Sequence, residues 1–491
     1  MEYLHVILEF IKTWYWIPIL LLYIGVIGAI LIENRNPAKT ISWIMVIVFL
    51  PVIGMLLYYF FGQKYNKIRR IKRTTDAQTT RLQAEWKRLE PYMEKDLELI
   101  SEKIGGLYRV HGFLKNERLS SPTVGNRVKL LNNGEEKFKD MLVDLRSATH
   151  SIHMEYYIFE LDQIGKEILE ILEEKAANGV HVRLLLDSLG SSKVVKYLTR
   201  KKDSKIDFRP FLPVTFTSLA NSNYRNHRKI AVIDSEVAYI GGINISDRYI
   251  NEPKRNNLVF WRDTSVRIEG AAVNMLQISF WNSWDIADGT PYMLEEGYLR
   301  NTVRDYRVGD AAVSLVSSDP GSTGPYNMEA ILVAIGEAEK KIQLVTPYYV
   351  PSDELSTALK VAAATGIEVE LMLPEASDSY IVQHASLSFV KPLLERGVKV
   401  YFYKKGFVHA KTITIDGKLS FIGTVNLDIR SFYINYEVAA VISDEILCGQ
   451  MVERFELDKA DSELMTLEEW KKRPSWKRSL DSLCRLLAPL L

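Results

Sequence analysis

The sequence predicts an α/β protein whose body is built from two similar halves behind an N-terminal pair of membrane-spanning helices. Three observations carry this expectation: two uncharged runs of spanning length, a strand–helix–strand pattern that recurs, and a His/Lys/Asp motif written twice. A chain of 491 residues exceeds what one hydrophobic core usually organises, so more than one folded unit is expected. Apolar residues at 47% and charged residues at 25% are ordinary for a globular protein and exclude low-complexity and collagen-like classes. Lys plus Arg number 62 and Asp plus Glu 61, a net charge of +1, so attraction to a polyanion has to come from local patches. Two distant cysteines, Cys448 and Cys484, make neither a disulfide framework nor a thiolate metal cluster.

The N-terminal element comes first. Residues 13–32 carry no charged side chain, and twenty helical positions at about 1.5 Å each reach about 30 Å, the thickness of a bilayer's hydrocarbon core. A second uncharged run, 40–63, has Trp43 near one end and Tyr58 to Phe61 near the other, the aromatic pattern of a membrane interface. Only Glu33 to Lys39 separates the runs, which predicts a helical hairpin over 1–63 with both flanks on one side of the membrane. A cleaved leader is disfavoured, because a basic start and a small-residue cleavage site are lacking and a second span follows. Lys64, Lys67, Arg69, Arg70, Lys72 and Arg73 precede any acid until Asp76, which predicts a cell-membrane protein with its large body in the cytoplasm. Those cations also attract anionic headgroups at about 1 kcal/mol each. Residues 64–104 read as a juxtamembrane linker.

Beyond the linker the chain resembles itself. Gly179 to Asp187 aligns with Gly366 to Pro374, each a glycine followed by a β-rich run. A helix precedes each: Ile164, Ile168, Ile171 and Leu172 form one apolar stripe, and Leu355, Ala358, Leu359 and Ala362 form the other. Ahead of the helices lie strands over 151–158 and 341–350. Alternation of this kind favours a sheet with helical crossovers. Turn chemistry from Asp319 to Pro325 puts the boundary within 300–325, giving a first domain over 105–315 and a second over 316–491.

Each half then carries the same motif. His227-x-Lys229-x4-Asp234 is followed after six residues by Gly241-Gly242-x-Asn244, and His409-x-Lys411-x4-Asp416 after six residues by Gly423-Thr424-x-Asn426. Two copies with one internal spacing, 182 residues apart, do not arise from core packing alone. Histidine and lysine two apart on a strand share a face and can converge on one ligand. A phosphodiester suits such a set: one neutral imidazole attacks phosphorus, the other, protonated, supplies a proton to the departing alkoxide. Histidine, with an ordinary pKa near about 6.5, serves either role. Two lysines, with Asn244 and Asn426, would stabilise the charge of the transition state without a metal or other cofactor. The glycines let backbone approach closely, setting the asparagines beside the phosphate. Each half holds one copy, so the site has to form between halves. Asp234 and Asp416 complete the candidate catalytic motifs; lying on the opposite strand parity from the lysines, they are expected to brace the fold. Glu437, 28 residues after His409, and Asp263, 36 residues after His227, are the candidates to orient the imidazoles.

These residues resemble the phospholipase D superfamily. Glu33-Asn34-Arg35-Asn36-Pro37-Ala38-Lys39-Thr40, Met154-Glu155-Tyr156-Tyr157-Ile158-Phe159 and Gly423-Thr424-Val425-Asn426-Leu427-Asp428-x-Arg430-Ser431-Phe432 resemble, within it, the bacterial cardiolipin synthases over nearly the whole chain. The resemblance implies two pseudo-symmetric αβα sandwich domains sharing one active site. It implies phosphatidyl transfer between two phosphatidylglycerols through a phosphohistidine, with glycerol released and no cofactor. It implies phosphatidylglycerol and anionic membrane lipid as partners, and no nucleic acid. His227 and His409 become the catalytic pair and Lys229 and Lys411 the phosphate ligands; analogy makes His227 the nucleophile, and the near-symmetry leaves the reverse assignment open. No oligomeric state follows from these residues. A hydrolytic phospholipase D or a nuclease would use the same groups, but a nuclease needs no membrane spans. A non-enzymatic lipid-binding scaffold needs no duplicated motif.

Other features are weaker. His150 and His153 lack supporting ligands for zinc, and the sequon Asn244-Ile245-Ser246 lies inside the phosphate-binding motif. Ser475 to Leu491 has leucines at helical spacing with Lys477, Arg478 and Arg485, which suits attachment to lipid or packing on the body equally. Tyr224 and Arg225 are placed to line a headgroup channel or to feed the motif strand.

Overall fold

The computed structural model describes residues 13–14, 16–32, 37–58, 92–213, 223–252, 259–288 and 307–486. The basic collar at 64–73, the loop residues 33–36, the linker up to residue 91 and the terminal Leu487 and Leu491 lie outside the described residues. The first uncharged run forms the helix Trp16–Ile32. The second is divided into Pro37–Phe49 and Pro51–Leu57, because Pro51 has no amide proton to continue the ladder and sits at the start of a new helix. The fold-back brings Gly54 against Val46, where a Cβ would lie 2.4 Å from the carbonyl oxygen. Ile30, Ile47 and Tyr58 are the buried contact of the hairpin, while Leu21, Ile24, Ile53 and Val52 point outward, each more than half exposed. Among the described residues no helix is long and apolar enough to cross a membrane.

Among the described residues the body is a mixed α/β fold around one fifteen-stranded sheet. In chain order its strands and the short ones beside it are β1 (Thr123–Asn132), β2 (Ser151–Tyr156), β3 (His181–Asp187), β4 (Asp207–Phe211), β5 (Lys229–Ile233), β6 (Val237–Gly241), β7 (Phe260–Arg262) and β8 (Thr264–Glu269). They continue as β9 (Ala311–Ser318), β10 (Lys341–Val345), β11 (Tyr349–Val350), β12 (Glu368–Pro374), β13 (Lys399–Tyr403), β14 (Gly406–Val408), β15 (Thr412–Ile415), β16 (Leu419–Gly423), β17 (Leu427–Asp428), β18 (Glu437–Ser443) and β19 (Ser462–Met465). Read outward from the seam between β1 and β9, one side runs β1-β8-β6-β5-β2-β3-β4 and the other β9-β18-β16-β15-β10-β12-β13, closed by β19. The two sides repeat one order. The repeat detected in sequence corresponds to β2, the helix Gln163–Ala177 and β3 on one side, and to β10, the helix Asp353–Ala364 and β12 on the other. Both strand pairs are parallel, as a helical crossover requires.

Period-two alternation sorts the sheet residues onto two helical layers. Ala231 and Ile233 pack beneath Phe138, Ile168 and Leu172, whereas Ile230 and Val232 join Leu276 on the opposite face. That second cluster also contains Val438, Ala440, Leu447 and Met451, so a hydrophobic core crosses the seam and holds the halves in register.

The motif aspartates do brace backbone. Asp234 accepts from the amides of Thr149, His150 and Ser151, each at 2.8 Å, and Asp416 accepts from those of Glu339, Lys340 and Lys341 at 2.8, 2.8 and 2.7 Å. Both sit at positive φ, 50° and 54°, a conformation that aspartate tolerates better than most residues. Burial works against the Asp234 carboxylate, but the three amides outweigh it and hold its pKa below the ordinary value. Asp234→Ala and Asp416→Ala are each expected to lower unfolding stability by about 2–3 kcal/mol, measured by urea denaturation, as charge-assisted bonds to the strand entry are lost.

The C-terminal helix Ser475–Arg485 packs on the helix Tyr380–Ser388: His384 Nδ1 lies 2.6 Å from Asp481, which also pairs with Arg473 at 2.8 Å, and Cys484 is buried against Ala385. Trp476 and Leu483 face outward. His153 occupies a packed interior, stacked on Phe280 and bonded to Gln277.

Candidate active site

His227 stands two residues ahead of Lys229, the first residue of β5, and His409 stands just ahead of β15, equivalent positions in the two halves. Each is held by the opposite half. The His227 amide donates to the Tyr436 carbonyl at 3.0 Å, and the His409 amide donates to the Arg262 carbonyl at 2.7 Å. The residue that follows each of those carbonyls is an acid aimed back at the ring. Glu437 reaches His227 Nδ1 at 2.9 Å, and Asp263 reaches His409 Nδ1 at 2.7 Å. Spacing along the chain counts each acid from the histidine of its own half, whereas in the structure each acid meets the histidine of the other half. The cause is topological: β7 pairs with β14 and residue 226 bridges to residue 436, so each motif histidine enters beside the partner half's acid.

Both carboxylates are fully buried. Burial alone would push them up, but His227 and Lys229 around Glu437, and Lys411 and His409 around Asp263, outweigh it and hold both below the usual carboxylate range. An ionised acceptor at Nδ1 favours the tautomer that keeps its proton there and leaves Nε2 for a ligand. Burial pulls both imidazoles down, His409 to about 4, with the facing acid opposing the shift in each case.

Gly241 and Gly423 let backbone approach closely, since a Cβ there would lie 2.4 Å from Ser265 Cα and from the Val438 carbonyl oxygen, and Gly242 has a further task. A Cβ at Gly242 would lie 2.2 Å from Asp263 Oδ1, so its absence makes room for the carboxylate. The matching residue, Thr424, instead donates its hydroxyl to Glu437. Lys229 and Lys411 are buried behind the residues that line the cavity, each ammonium donating to the carbonyl of the histidine two residues before it. Burial lowers them to about 7 and about 8. The asparagines are unequal. Asn244 is engaged, accepting from the Ile158 amide at 3.2 Å and donating to the Tyr249 hydroxyl at 2.8 Å, whereas Asn426 Oδ1 is buried without a hydrogen-bond partner among the described residues.

Both imidazoles and both asparagines line one cavity of about 450 Å³. Its aromatic walls were not anticipated from sequence: Tyr157 stands edge-on to His227 at 5.0 Å, and Trp261 and Tyr249 flank His409 at 5.4 and 5.9 Å. Arg225 lines the same cavity, tied to Asp187 at 3.3 Å. Two imidazoles held by ionised acids and facing one cavity, with two buried amines bonded to their carbonyls, suit nucleophilic and acid–base work on a single anionic centre.

Residues 141–284 and 331–459 match the family model described as cardiolipin synthase, PLD-like domain, and residues 21–63 match a phospholipase D-nuclease N-terminal model. The chain is 38% identical over 483 residues to a cardiolipin synthase of Halalkalibacterium halodurans, covering 97% of this chain and 93% of that one. It is 36% identical over 473 residues to a cardiolipin synthase of Alkalihalophilus pseudofirmus, covering 96% and 92%. Among solved structures, the phosphatidylserine synthase of Haemophilus influenzae superposes with a TM-score of 0.62 at 16% identity, over 78% of this chain and 99% of that one, a likeness of fold.

Proposed function

We propose, from the premise that this chain belongs to the family of cardiolipin synthases with phospholipase D-like domains, that it transfers a phosphatidyl group from one phosphatidylglycerol to another through His227 and His409. The observation that carries the reading is the reciprocal pairing of each imidazole with an acid of the other half above one cavity. In the first step the Nε2 lone pair of one imidazole attacks phosphorus, the bond to the glycerol oxygen breaks, and the other imidazolium gives that oxygen its proton. In the second, that now neutral ring takes the proton of the acceptor's terminal hydroxyl, whose oxygen attacks phosphorus and expels the first histidine. Analogy favours His227 as the nucleophile. Lys229 and Lys411 supply positive charge beneath the phosphate, and Asn426 stands beside it. Bonds broken and made are alike, so exclusion of water decides the product, and the aromatic walls contribute to that exclusion. The N-terminal hairpin, with its outward apolar side chains, anchors the body at the lipid surface, where phospholipid substrates are concentrated.

Labelled phosphatidylglycerol incubated with the purified full chain tests this reading: cardiolipin with free glycerol is expected, and phosphatidic acid as sole lipid product would contradict it. A pH profile follows from the electrostatics. Burial places the free-enzyme lysines at about 7 and about 8, so kcat/KM is expected to fall as pH rises through that range and the amines lose charge. The acid limb, where the nucleophilic imidazole gains a proton, is expected below the ordinary histidine value; burial lowers the other ring as well, so that ring carries the proton it donates only while the anionic phosphate lies beside it. A profile level from pH 6 to 10 would contradict the placement of the lysines under the phosphate.

A further inference from the structure

The transfer reaction brings together two phosphodiesters. The acceptor's own phosphate lies only a three-carbon chain from the hydroxyl that reacts, so a second anion has to sit in or beside the cavity that holds the first. The histidines and lysines are committed to the reacting phosphorus. Three arginines line the cavity, and two of them are already neutralised. Arg225 pairs with Asp187 at 3.3 Å, and Arg248 with Glu160 at 2.6 Å while stacking on Trp261.

Arg430 differs. Among the described residues its guanidinium donates only to Asn223, to Oδ1 at 3.1 Å and to the carbonyl at 2.5 Å, and no carboxylate stands within ion-pair distance of it. Asp428, its acidic neighbour, is occupied in capping the helix Ile429–Tyr433, accepting from the Ser431 amide at 2.6 Å. Two neutral acceptors orient the fork without cancelling its charge, and a guanidinium matches phosphate oxygens in pairs. Position supports the same conclusion. Arg248 and Arg430 each stand four residues beyond a motif asparagine, Asn244 and Asn426, so the duplication places one arginine at each end of the cavity. Glu160 silences the first. The second lies at the His227 end, where Tyr157 both feels its charge and meets His227 edge-on at 5.0 Å. The near-symmetric scaffold thus leaves one arginine without an ion-pair partner among the described residues, Asp428 and Glu437 acting on it only from beyond that distance, as a reaction with one charged acceptor requires.

We propose that Arg430 forms a second phosphate subsite, which binds the phosphodiester of the acceptor phospholipid while its terminal hydroxyl reaches the reacting phosphorus. This rests on the phosphatidyl-transfer reading above. It makes Arg430 a determinant of acceptor choice: it favours an acceptor that carries an anion over glycerol or water.

Two reactions of the full-length enzyme in phosphatidylglycerol vesicles separate the subsites. Exchange of labelled glycerol into phosphatidylglycerol involves one phosphate; cardiolipin formation involves two. Arg430→Gln is expected to reduce cardiolipin formation by about 10- to 100-fold, the loss of a charge-assisted pair, and to raise the phosphatidic acid share, while glycerol exchange stays within about 3-fold. Arg430→Lys, which keeps the charge but not the fork, is expected to recover part of the loss. Equal losses in both reactions, or none in either, would overturn the subsite and leave the transfer reading standing. A wild-type enzyme that neither exchanges glycerol nor makes cardiolipin would overturn the transfer reading and the subsite with it.

Discussion

Replacing His227 or His409 by alanine is expected to reduce cardiolipin formation by about 10⁴-fold or more, with the double variant little worse than either single one. Both steps use both rings. Without the nucleophile no phosphatidyl-enzyme forms; without its partner the departing alkoxide receives no proton and the acceptor hydroxyl loses none. Groups that act as a unit are strongly non-additive, so the near-equality of single and double variants is as informative as the size of the loss. The fold should survive, because each ring occupies a cavity wall and the backbone amides that cross between halves remain. Two independent active sites, one per half, would instead leave about half the rate in each single variant.

Glu437→Gln and Asp263→Asn are expected to give the next largest effect, about 10²- to 10⁴-fold in kcat with little change in KM, since neither acid faces the substrate. An amide at that position no longer requires a proton on Nδ1, and it removes the negative charge that opposes the burial-driven fall of the imidazole pKa. The consequence crosses the seam. Glu437→Gln should shift the ring resonances of His227, 210 residues away, and leave those of His409 nearly unmoved, while Asp263→Asn should do the reverse. If each variant moved the histidine of its own half, the exchanged pairing would be wrong.

Much of this arrangement was legible in the chain. The repeated strand–helix–strand units were recognisable because β3 and β12 are apolar runs after a glycine and their helices carry apolar stripes, features of local periodicity. The bracing role of Asp234 and Asp416 followed from strand parity. The exchanged acids did not follow from spacing, because which strand lies beside which is a property of the sheet order. Asp263 immediately precedes β8 and Glu437 opens β18, equivalent strands, and that equivalence was the available signal. Composition also concealed the break at Pro51: an uncharged run counts hydropathy, whereas the helix counts amide donors. The unequal asparagines were hidden too, since Tyr249 reaches Asn244 and has no counterpart in the spacing of the motif.

The central claim is that one phosphorus is held between a histidine from each half. Acid-free quenching of the full-length enzyme during turnover of phosphatidylglycerol labelled in its phosphate, followed by peptide mapping, tests it most directly. The account predicts label on a single histidine, His227 or His409, absent when that residue is alanine and chased by added glycerol. Label on both histidines in equal amount, or on no histidine while cardiolipin accumulates, would contradict it.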